Sequence, residues 1–472
     1  MKIALVQYPL GHRRFSENLK VIDEEFCLAP PIVLAYVAAI LENAGHKVII
    51  IDAHARRLTK EKVLRLLMDF SPDIIGFRAD TYWFHAAAEW ACFFRSRLNA
   101  KIIVGGINMS LYPLESMAAG CFDYGLIGEA NHSLPGLISE IEKGCLPEKI
   151  PGAVYKKNGV FVFNEPSSRP VDFDSYPLPA RHLLPNHLYH SFTSQLRNFT
   201  IMLTSLGCPF HCSFCAISRL GYRERSVAGV IDEIEQCYKK YNVREIDFFD
   251  ATFFANKQRS LSICEQILKK GLKLEWSCRS RVDVVDDEIL KTAYRAGCRK
   301  IYYGIESASD EVLKNVNKQI SVAQIRHAIS LTHKNGINAL GFFMIGNPSD
   351  SRGSVMSSMK FAKDLELDFI QVCRAIAKPN TGLNDALMSA CGRDFWREYV
   401  LGKRKDMRLP MPWTDLTHEE IEALAKKFYQ DFYLRPGYIL KRIRKTRSLG
   451  EFLRYAKAGT KWFFCNRSDV NK

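Results

Sequence analysis

The sequence predicts an α/β protein with two consecutive parallel-strand domains followed by a helical C-terminal region. Its 472 residues correspond to about two to four domains. Two series of short, continuously apolar segments alternate with stretches of helical periodicity, which is typical of buried parallel strands separated by helices. These strand signals end near residue 382. We therefore expect a doubly wound, Rossmann-like parallel sheet, then a partial (β/α)6 barrel of the TIM type, then helices.

The first series occupies residues 1–147 and contains five apolar strand segments with helices between them, such as the segment 32–43. The strands are expected at 2–8, 47–52, 73–77, 101–104 and 124–127. Segment 148–198 differs, because a hairpin signal at Lys157-Asn158-Gly159 is followed by a series of prolines. We interpret it as a linker that contains a hairpin.

The second series occupies residues 199–381, and a helical, basic region follows at 382–472. Six strands are expected at 200–205, 245–249, 274–278, 300–305, 339–345 and 368–373. Ser226 is expected to cap the helix that follows the first of them. In such barrels the functional residues lie at the carboxyl ends of the strands.

Composition excludes several classes of protein. Hydrophobic residues at 47% and charged residues at 25% are ordinary for a globular chain. No uncharged apolar run reaches the roughly 18 residues that a membrane span needs. We therefore expect a cytoplasmic protein. The formal net charge is +15, and residues 401–472 carry 17 basic and 8 acidic side chains, so more than half of the surplus lies there.

The most specific signal is a group of three cysteines directly after the first strand of the second series. Cys208, Cys212 and Cys215 have spacings that let three thiolates converge on one soft metal centre. Structural zinc sites usually have four ligands, so a set of three leaves a coordination position open. Two alternatives remain: a zinc site completed by His211, or three unrelated core cysteines.

This CxxxCxxC spacing after a first barrel strand resembles the motif of the radical S-adenosylmethionine (SAM) enzymes. The resemblance implies that Cys208, Cys212 and Cys215 bind a 4Fe–4S cluster whose open iron chelates SAM. Reduction of the cluster then cleaves SAM to a 5′-deoxyadenosyl radical. By the same resemblance, Phe214 would lie against the adenine, and an external electron donor of the flavodoxin or ferredoxin type is implied.

Four further segments resemble strand-end motifs of the family branch that carries an N-terminal cobalamin-binding domain: 248–253, 276–283, 304–307 and 346–348. Within or beside them, the resemblance assigns Arg281 or Lys318 to the carboxylate of SAM. Glu306 and Asp250 are the expected acceptors for its amine and ribose hydroxyls, and Ser307 belongs to the same group. Each motif alone is weak, since charged residues at strand ends are often solvated or ion-paired.

Three segments of the first domain resemble parts of the cobalamin-binding domain. Leu28–Pro31 is one, Gly105 and Gly106 belong to the second, and Glu129 belongs to the third. Glycines suit a flat corrin because backbone without Cβ can approach it closely. His54 sits in an Asp-x-His pattern, but the pattern follows the second strand and Arg57 replaces the family glycine. We interpret His54 as an ordinary loop residue.

The branch includes hopanoid-lipid and anaerobic magnesium-protoporphyrin monomethyl ester cyclase-type members. The resemblance therefore implies a cobalamin-dependent radical SAM enzyme that methylates, oxidises or rearranges an unactivated carbon of a small-molecule, lipid-like substrate. Basic and apolar residues near the C-terminus suit an anionic membrane surface, and they suit single-stranded nucleic acid nearly as well. A helix packed on the barrel with a solvated basic face is the alternative. The resemblance to members with hydrophobic substrates favours peripheral membrane contact. Two alternatives remain open: a methylthiotransferase with a second cluster on Cys27, Cys92 and Cys121, and a non-catalytic zinc protein that binds nucleic acid.

Overall fold

The computed structural model describes residues 1–10, 27–168, 171–191, 193–194, 196 and 198–446. Contacts divide the chain into two compact units. Among the described residues, the first contains 1–10, Pro30–Leu188 and Gly392–Met407, and the second contains 27–29, Tyr189–Cys391 and 408–446. The aromatic and basic residues predicted for membrane contact at 447–464 lie outside the described residues. Within these ranges, no helix combines the length and the apolar character needed to cross a membrane.

The first unit contains a seven-stranded sheet. Its strands are β1 (Lys2–Gln7), β2 (Lys47–Asp52), β3 (Ile74–Arg78), β4 (Lys101–Gly105), β5 (Tyr124–Leu126), β6 (Ala153–Lys157) and β7 (Val160–Phe163). They are ordered β2-β1-β3-β4-β5-β6-β7, and the first five are parallel. The predicted hairpin is β6–β7, and it extends this sheet in antiparallel fashion. The expected doubly wound sheet is therefore present.

Helices connect the parallel strands of this sheet. They are α1 (Ile32–Asn43), α2 (Lys60–Phe70), α3 (Phe84–Arg95), α4 (Ile107–Leu111), α5 (Pro113–Met117) and α6 (Ala130–Lys143). The Thr59 side chain accepts the Lys62 N–H and caps α2, and Val63 and Leu67 bury the apolar stripe of that helix. The strands carry continuous apolar runs because both faces of the sheet are covered.

The second unit contains six parallel strands, at the positions expected for the barrel. They are β8 (Phe199–Met202), β9 (Glu245–Phe248), β10 (Glu275–Ser280), β11 (Cys298–Glu306), β12 (Asn338–Ile345) and β13 (Phe369–Arg374). They are ordered as in the sequence, β8 to β13, without closing into a ring. Side chains alternate between two clusters: Phe248, Trp276 and Tyr303 pack toward the helices, and Tyr302 and Phe369 pack on the inner face.

Helices cover the outer face of the barrel and continue after its last strand. They are α7 (Val227–Lys240), α8 (Lys257–Lys269), α9 (Asp287–Arg295), α10 (Asp310–Asn315), α11 (Val322–Lys334), α12 (Arg352–Asp364), α13 (Gly382–Cys391), α14 (Phe395–Val400), α15 (His418–Tyr433) and α16 (Pro436–Lys445). Ser226 caps α7 as expected. Phe428 and Tyr429 of α15 complete the outer core.

Helix α14 belongs to the first unit, although it follows the barrel in the sequence. Trp396 and Tyr399 are buried there, with the Trp396 ring 5.3 Å from that of Tyr82 and the Tyr399 ring 4.6 Å from that of His85. The α/β fold class with a partial barrel is confirmed. The domain boundaries at 147, 198 and 381 stay a prediction, and these contacts assign residues 392–407 to the first unit.

Candidate active site

The three predicted cysteines lie in one loop at the carboxyl end of β8. A two-stranded ribbon, Ser205–Leu206 paired with Arg223–Glu224, closes the base of this cysteine loop. Cys208, Cys212 and Cys215 are free thiols. Gly207 has φ +73°, and a Cβ there would lie 2.5 Å from the Gly221 carbonyl oxygen. The turn into the motif therefore requires glycine.

Backbone hydrogen bonds hold the cysteine loop against the rest of the barrel. The Ser213 N–H donates to the Val316 carbonyl at 3.0 Å, and the Leu383 N–H donates to the Ser213 carbonyl at 3.1 Å. The Asn317 side-chain amide donates to the His211 carbonyl at 2.7 Å. The loop is thus preorganised by two separate parts of the second unit, the segment 316–317 and Leu383, as a site of defined geometry requires.

Asp250 supports the chain just before the cysteine loop. Its carboxylate accepts the Thr204 N–H at 2.7 Å and also the Thr204 hydroxyl. Arg259 donates to the Thr204 carbonyl at 2.8 Å. Complete burial raises the pKa of Asp250, and the bonds from Thr204 oppose that shift. Asp250 therefore positions Thr204, and its assignment to SAM stays a prediction.

A buried ion pair lies at the carboxyl end of β11. The Lys318 ammonium donates to Glu306 Oε1 at 2.9 Å. Glu306 follows an irregularity in strand pairing and has φ +65°, a strained conformation for a side chain of its size. A Cβ on Gly304 would lie 2.6 Å from both Glu306 Oε1 and Lys318 Nζ, so glycine leaves room for the pair.

This Lys318–Glu306 pair lies beside the cysteine loop. Lys318 Nζ is 5.7 Å from the centroid of the Phe214 ring. Burial by itself lowers the pKa of Lys318, but the Glu306 carboxylate reverses this and raises it above the usual value. Burial raises the pKa of Cys212, which Lys318 and Arg281 pull back down. The site therefore combines a fixed positive charge, a fixed negative charge and a thiol.

Arg281 joins the cysteine loop to the ion pair. Its guanidinium forms a two-pronged ion pair with Asp283 at 2.9 and 2.8 Å and donates to the Lys318 carbonyl at 2.7 Å. A further N–H points at Cys212 Sγ at 3.7 Å. The guanidinium also lies over the Phe210 ring, 3.9 Å from its centroid. Ser307 is more remote: its hydroxyl accepts the Ser309 N–H and lies 3.5 Å from that of Ser358.

The chemistry of the three thiols bears on which metal centre they can hold. In the part of the chain that the structure describes, no three His, Cys, Asp or Glu side chains converge on one metal ion. The cysteines of a cluster bind different iron atoms, so they need not converge as zinc ligands do. His211, the expected fourth ligand of a zinc site, is exposed. The donor set, three free thiols on one loop, is the one that such a cluster takes.

The inner face of the barrel carries aromatic and aliphatic side chains. Tyr302, Leu340 and Phe369 form a buried apolar layer. Phe249, toward the carboxyl ends of the strands, is 40% exposed, although its ring lies 3.7 Å from the Arg279 guanidinium. Phe342 is only partly buried. Phe249 and Phe342 therefore present accessible aromatic surface on this face.

The predicted cobalamin residues lie at the carboxyl edge of the first sheet. Gly106 has φ +104°, and a Cβ there would lie 2.7 Å from the Ala79 carbonyl oxygen. Around Gly105 and Gly128, a Cβ would meet no atom closer than 3.9 Å. Glu129 accepts a hydrogen bond from the Tyr176 hydroxyl at 2.7 Å. Bare backbone at this edge fits the approach of a flat corrin, while the individual roles stay predictions.

Two weaker sequence features have structural correlates in the first unit. Arg57, at the position of the family glycine after His54, has φ +52°, so it adopts the left-handed conformation that glycine favours. Cys92 and Cys121 are hydrogen-bonded neighbours, and burial raises the pKa of Cys121. The side chain of Cys27, the third member of the methylthiotransferase set, lies outside the described part of the structure.

Comparison with known proteins identifies the class to which this fold and site belong. Residues 202–362 match the radical SAM superfamily, and residues 27–138 match the B12 binding domain. The chain is 34% identical over 427 residues to an uncharacterized methyltransferase from Pyrococcus horikoshii, covering 88% of this chain and 90% of that protein. It therefore belongs to the cobalamin-binding radical SAM enzymes, and its cofactors are a 4Fe–4S cluster, SAM and cobalamin.

More distant relatives extend the comparison. An anaerobic magnesium-protoporphyrin IX monomethyl ester cyclase from Rubrivivax gelatinosus is 27% identical over 350 residues, covering 72% of this chain and 63% of the cyclase. The solved structure of the cobalamin-dependent SAM radical enzyme OxsB, with aqua-cobalamin and SAM bound, superposes with a TM-score of 0.72 at 18% identity. That match covers 98% of this chain and 71% of OxsB, and it shows a shared fold.

Sequence reasoning missed the residues that contact the cysteine loop or the functional side chains without being expected ligands. These are Thr204, Arg259, Thr252 and Phe210. Phe210 lies inside the cysteine motif, so its position between two ligands was a usable signal. Thr204 and Arg259 are 55 residues apart, and only the fold brings them together.

Proposed function

We propose that this chain is a cobalamin-dependent radical SAM methyltransferase that acts on an unactivated carbon of a hydrophobic small molecule. When bound, the cluster and SAM supply a radical strong enough to remove a hydrogen from such a carbon, and cobalamin supplies a methyl group. The observation that carries the proposal is the cysteine loop, whose Cys212 lies beside Arg281 and near the buried Lys318–Glu306 pair.

The residues of the site would divide the work as follows. Cys208, Cys212 and Cys215 bind the cluster as thiolates. Lys318 has three N–H donors, one of which it gives to Glu306, so it can also donate to the carboxylate of SAM. Glu306 Oε2 can accept from the amine of SAM.

A hydrophobic substrate suits the inner face of the barrel. Phe249 and Phe342 present aromatic surface there, and Met344 is partly buried on the same face. The Arg279 charge beneath Phe249 is neutralised by Asp247, with N–O distances of 2.9 and 3.1 Å. Cyclase relatives that act on a porphyrin ester support the same class of substrate.

Anaerobically reconstituted protein with cobalamin, methyl-deuterated SAM and a one-electron reductant tests this proposal. We expect 5′-deoxyadenosine from the wild type and none from Cys212→Ala. Cys391→Ala, which changes an exposed cysteine outside the motif, is the matched control and should behave as wild type. Incorporation of deuterated methyl into a lipid or tetrapyrrole fraction would support methyl transfer. 5′-Deoxyadenosine production by Cys212→Ala would overturn the assignment.

The chain requires an external reductant and a small-molecule substrate. The electron donor is proposed to be of the flavodoxin or ferredoxin type. The protein is further proposed to be cytoplasmic and peripheral to the membrane, with contact through helix α16. Tyr438 of this helix donates to the Asp368 carbonyl at 2.7 Å, and Arg442 lies over the Phe369 ring.

The opposite side of α16 supports the membrane proposal. Ile439, Leu440 and Ile443 are 44%, 49% and 50% exposed, next to Arg444. Exposed apolar residues among basic ones suit an anionic lipid surface. We expect flotation with phosphatidylglycerol vesicles but not with phosphatidylcholine vesicles, and loss of flotation on changing these three residues to serine. A control that changes the exposed Leu268 and Met356 to serine should still float. Equal flotation with both lipids would argue against the proposal.

A further inference from the structure

Arg281 has two candidate partners in the site, the carboxylate of SAM and the sulfur of Cys212. The hydrogen bonds that its guanidinium makes distinguish between them. A guanidinium has five N–H donors. Nε and Nη2 bind the two oxygens of Asp283, Nη2 also donates to the Lys318 carbonyl, and Nη1 points at Cys212 Sγ. Four of the five donors are therefore directed at atoms of the protein.

These contacts fix the position of the guanidinium. Arg281 is 5% exposed, and its planar group lies on the Phe210 ring inside the cysteine loop. Turning it toward the carboxylate of SAM would break the ion pair with Asp283 in a buried setting, which is costly. Lys318 is the better donor to that carboxylate, because the structure shows one of its three N–H groups in use.

From this geometry we propose that Arg281 is a positioning residue for the cluster: it donates a hydrogen bond to the sulfur of Cys212 and raises the reduction potential of the cluster. The inference rests on the cluster assignment to the three cysteines. Hydrogen bonds and positive charge near the sulfurs of an iron–sulfur cluster favour its reduced form. The proposal moves Arg281 from binding of SAM to control of the electron-transfer step.

Thr252 makes a similar contact at a second cysteine. Its hydroxyl lies 3.9 Å from Cys208 Sγ, and Thr252 is buried. A thiolate bound to iron can only accept a hydrogen bond, so the hydroxyl must be the donor when the cluster is present. Two of the three cluster cysteines thus have a hydrogen-bond donor near their sulfur. Replacing Thr252 by the isosteric valine removes one of these donors and gives a second test of sulfur hydrogen bonding.

The test measures the midpoint potential of the reconstituted cluster by electron paramagnetic resonance during a redox titration, together with the dissociation constant of SAM. We expect Arg281→Met to shift the potential to a more negative value while the SAM dissociation constant stays within about twofold. Arg281→Lys keeps the charge and loses the planar donor set, so its potential should lie between the two. Circular dichroism checks that each variant is folded.

Two further variants keep the test decisive if Arg281→Met fails to fold. Asp283→Asn removes the neutralising carboxylate and should shift the potential in the opposite, positive direction. Thr252→Val should shift it in the negative direction. Arg279→Gln is the matched control. Arg279 lies close to Arg281 in the sequence, and it also pairs with a carboxylate and stacks on an aromatic ring. Its partners are Asp247 and Phe249 rather than residues of the cysteine loop. Its potential should equal that of the wild type.

The outcomes separate the inference from the proposed function. A SAM dissociation constant raised tenfold or more in Arg281→Met, with an unchanged potential, would overturn the inference and assign Arg281 to SAM. Potentials unchanged in Arg281→Met, Asp283→Asn and Thr252→Val would also overturn it. Wild-type protein that takes up no cluster would instead overturn the proposed function.

Discussion

The barrel contains two buried Lys–Glu ion pairs, one at each end, and they differ in how completely they are bonded. At the amino end, Lys300 lies 2.9 Å from Glu245. Glu245 Oε2 also accepts the Ser194 hydroxyl at 2.8 Å and the Leu196 N–H at 2.9 Å, and Lys300 also donates to the Thr193 carbonyl. At the carboxyl end, the Lys318–Glu306 distance is the same, 2.9 Å.

The second pair has fewer partners and a strained backbone. The structure shows a single hydrogen bond at the Glu306 carboxylate, from Lys318, and Glu306 has φ +65°. Buried charges with all their hydrogen bonds made contribute to a defined fold. Buried charges with donors and acceptors to spare, held in a strained conformation, are typical of ligand sites. The number of hydrogen bonds therefore distinguishes the structural pair, Lys300–Glu245, from the ligand-binding pair, Lys318–Glu306. The Lys–Glu distance does not distinguish them, and both pairs are buried.

The largest effect is expected from breaking the amino-end pair. Lys300→Met leaves the Glu245 carboxylate buried without its cation, which costs about 3–5 kcal/mol of unfolding free energy. Guanidinium denaturation of the anaerobic protein measures this loss. The dissociation constant of SAM should stay within about twofold of wild type, because the pair lies at the opposite end of the strands. A loss below about 1 kcal/mol would show that this pair is not structural.

At the carboxyl end, the main effect should appear in binding. Lys318→Met removes the proposed donor to the carboxylate of SAM and should raise the SAM dissociation constant at least about tenfold, or about 1.4 kcal/mol. Equilibrium dialysis on reconstituted protein checks this value. The unfolding free energy of Lys318→Met should fall by less than that of Lys300→Met, because Lys318 makes fewer hydrogen bonds than Lys300. Wild-type affinity in Lys318→Met would remove this residue from the SAM site.

The smallest effect concerns backbone strain. In a Lys318→Met background, Glu306→Gly should be more stable than Glu306→Ala by about 1 kcal/mol, because glycine adopts a positive φ without steric cost. In a Lys300→Met background, Glu245→Gly should be less stable than Glu245→Ala, because Glu245 begins a regular strand. Both comparisons are made after the carboxylate has been removed, so they report on the backbone alone, and denaturation curves of the four double variants measure them. A glycine variant less stable than its alanine counterpart at both positions would mean that Glu306 is not strained.

Much of the fold follows from local sequence patterns. Each of the six barrel strands is predicted from an apolar segment of the sequence. The segments are apolar because their outward-facing residues, such as Phe248 and Trp276, are buried under the helices. The hairpin at Lys157-Asn158-Gly159 was predicted from its turn residues, but its addition to the first sheet was not. Pairing partners of an edge strand are set by tertiary packing, which a local pattern does not contain.

The site was predicted less completely than the fold. The three cysteines and the residues Glu306 and Lys318 come together because each follows a strand end of one parallel sheet. The direction of a side chain is a tertiary property, so Arg281 pointing at Cys212 and Asp250 bonding Thr204 were not predictable. The inclusion of residues 392–407 in the first unit depends on contacts such as His85 with Tyr399, 314 residues apart.

Metal analysis of the anaerobically purified protein, expressed with cobalamin supplied, tests the central claim most directly. We predict about four iron atoms and about one cobalt atom per wild-type chain. Cys212→Ala should lose the iron and keep the cobalt, because the cluster and the corrin are assigned to different units. Zinc in place of iron, or cobalt lost together with iron in Cys212→Ala, would contradict the account.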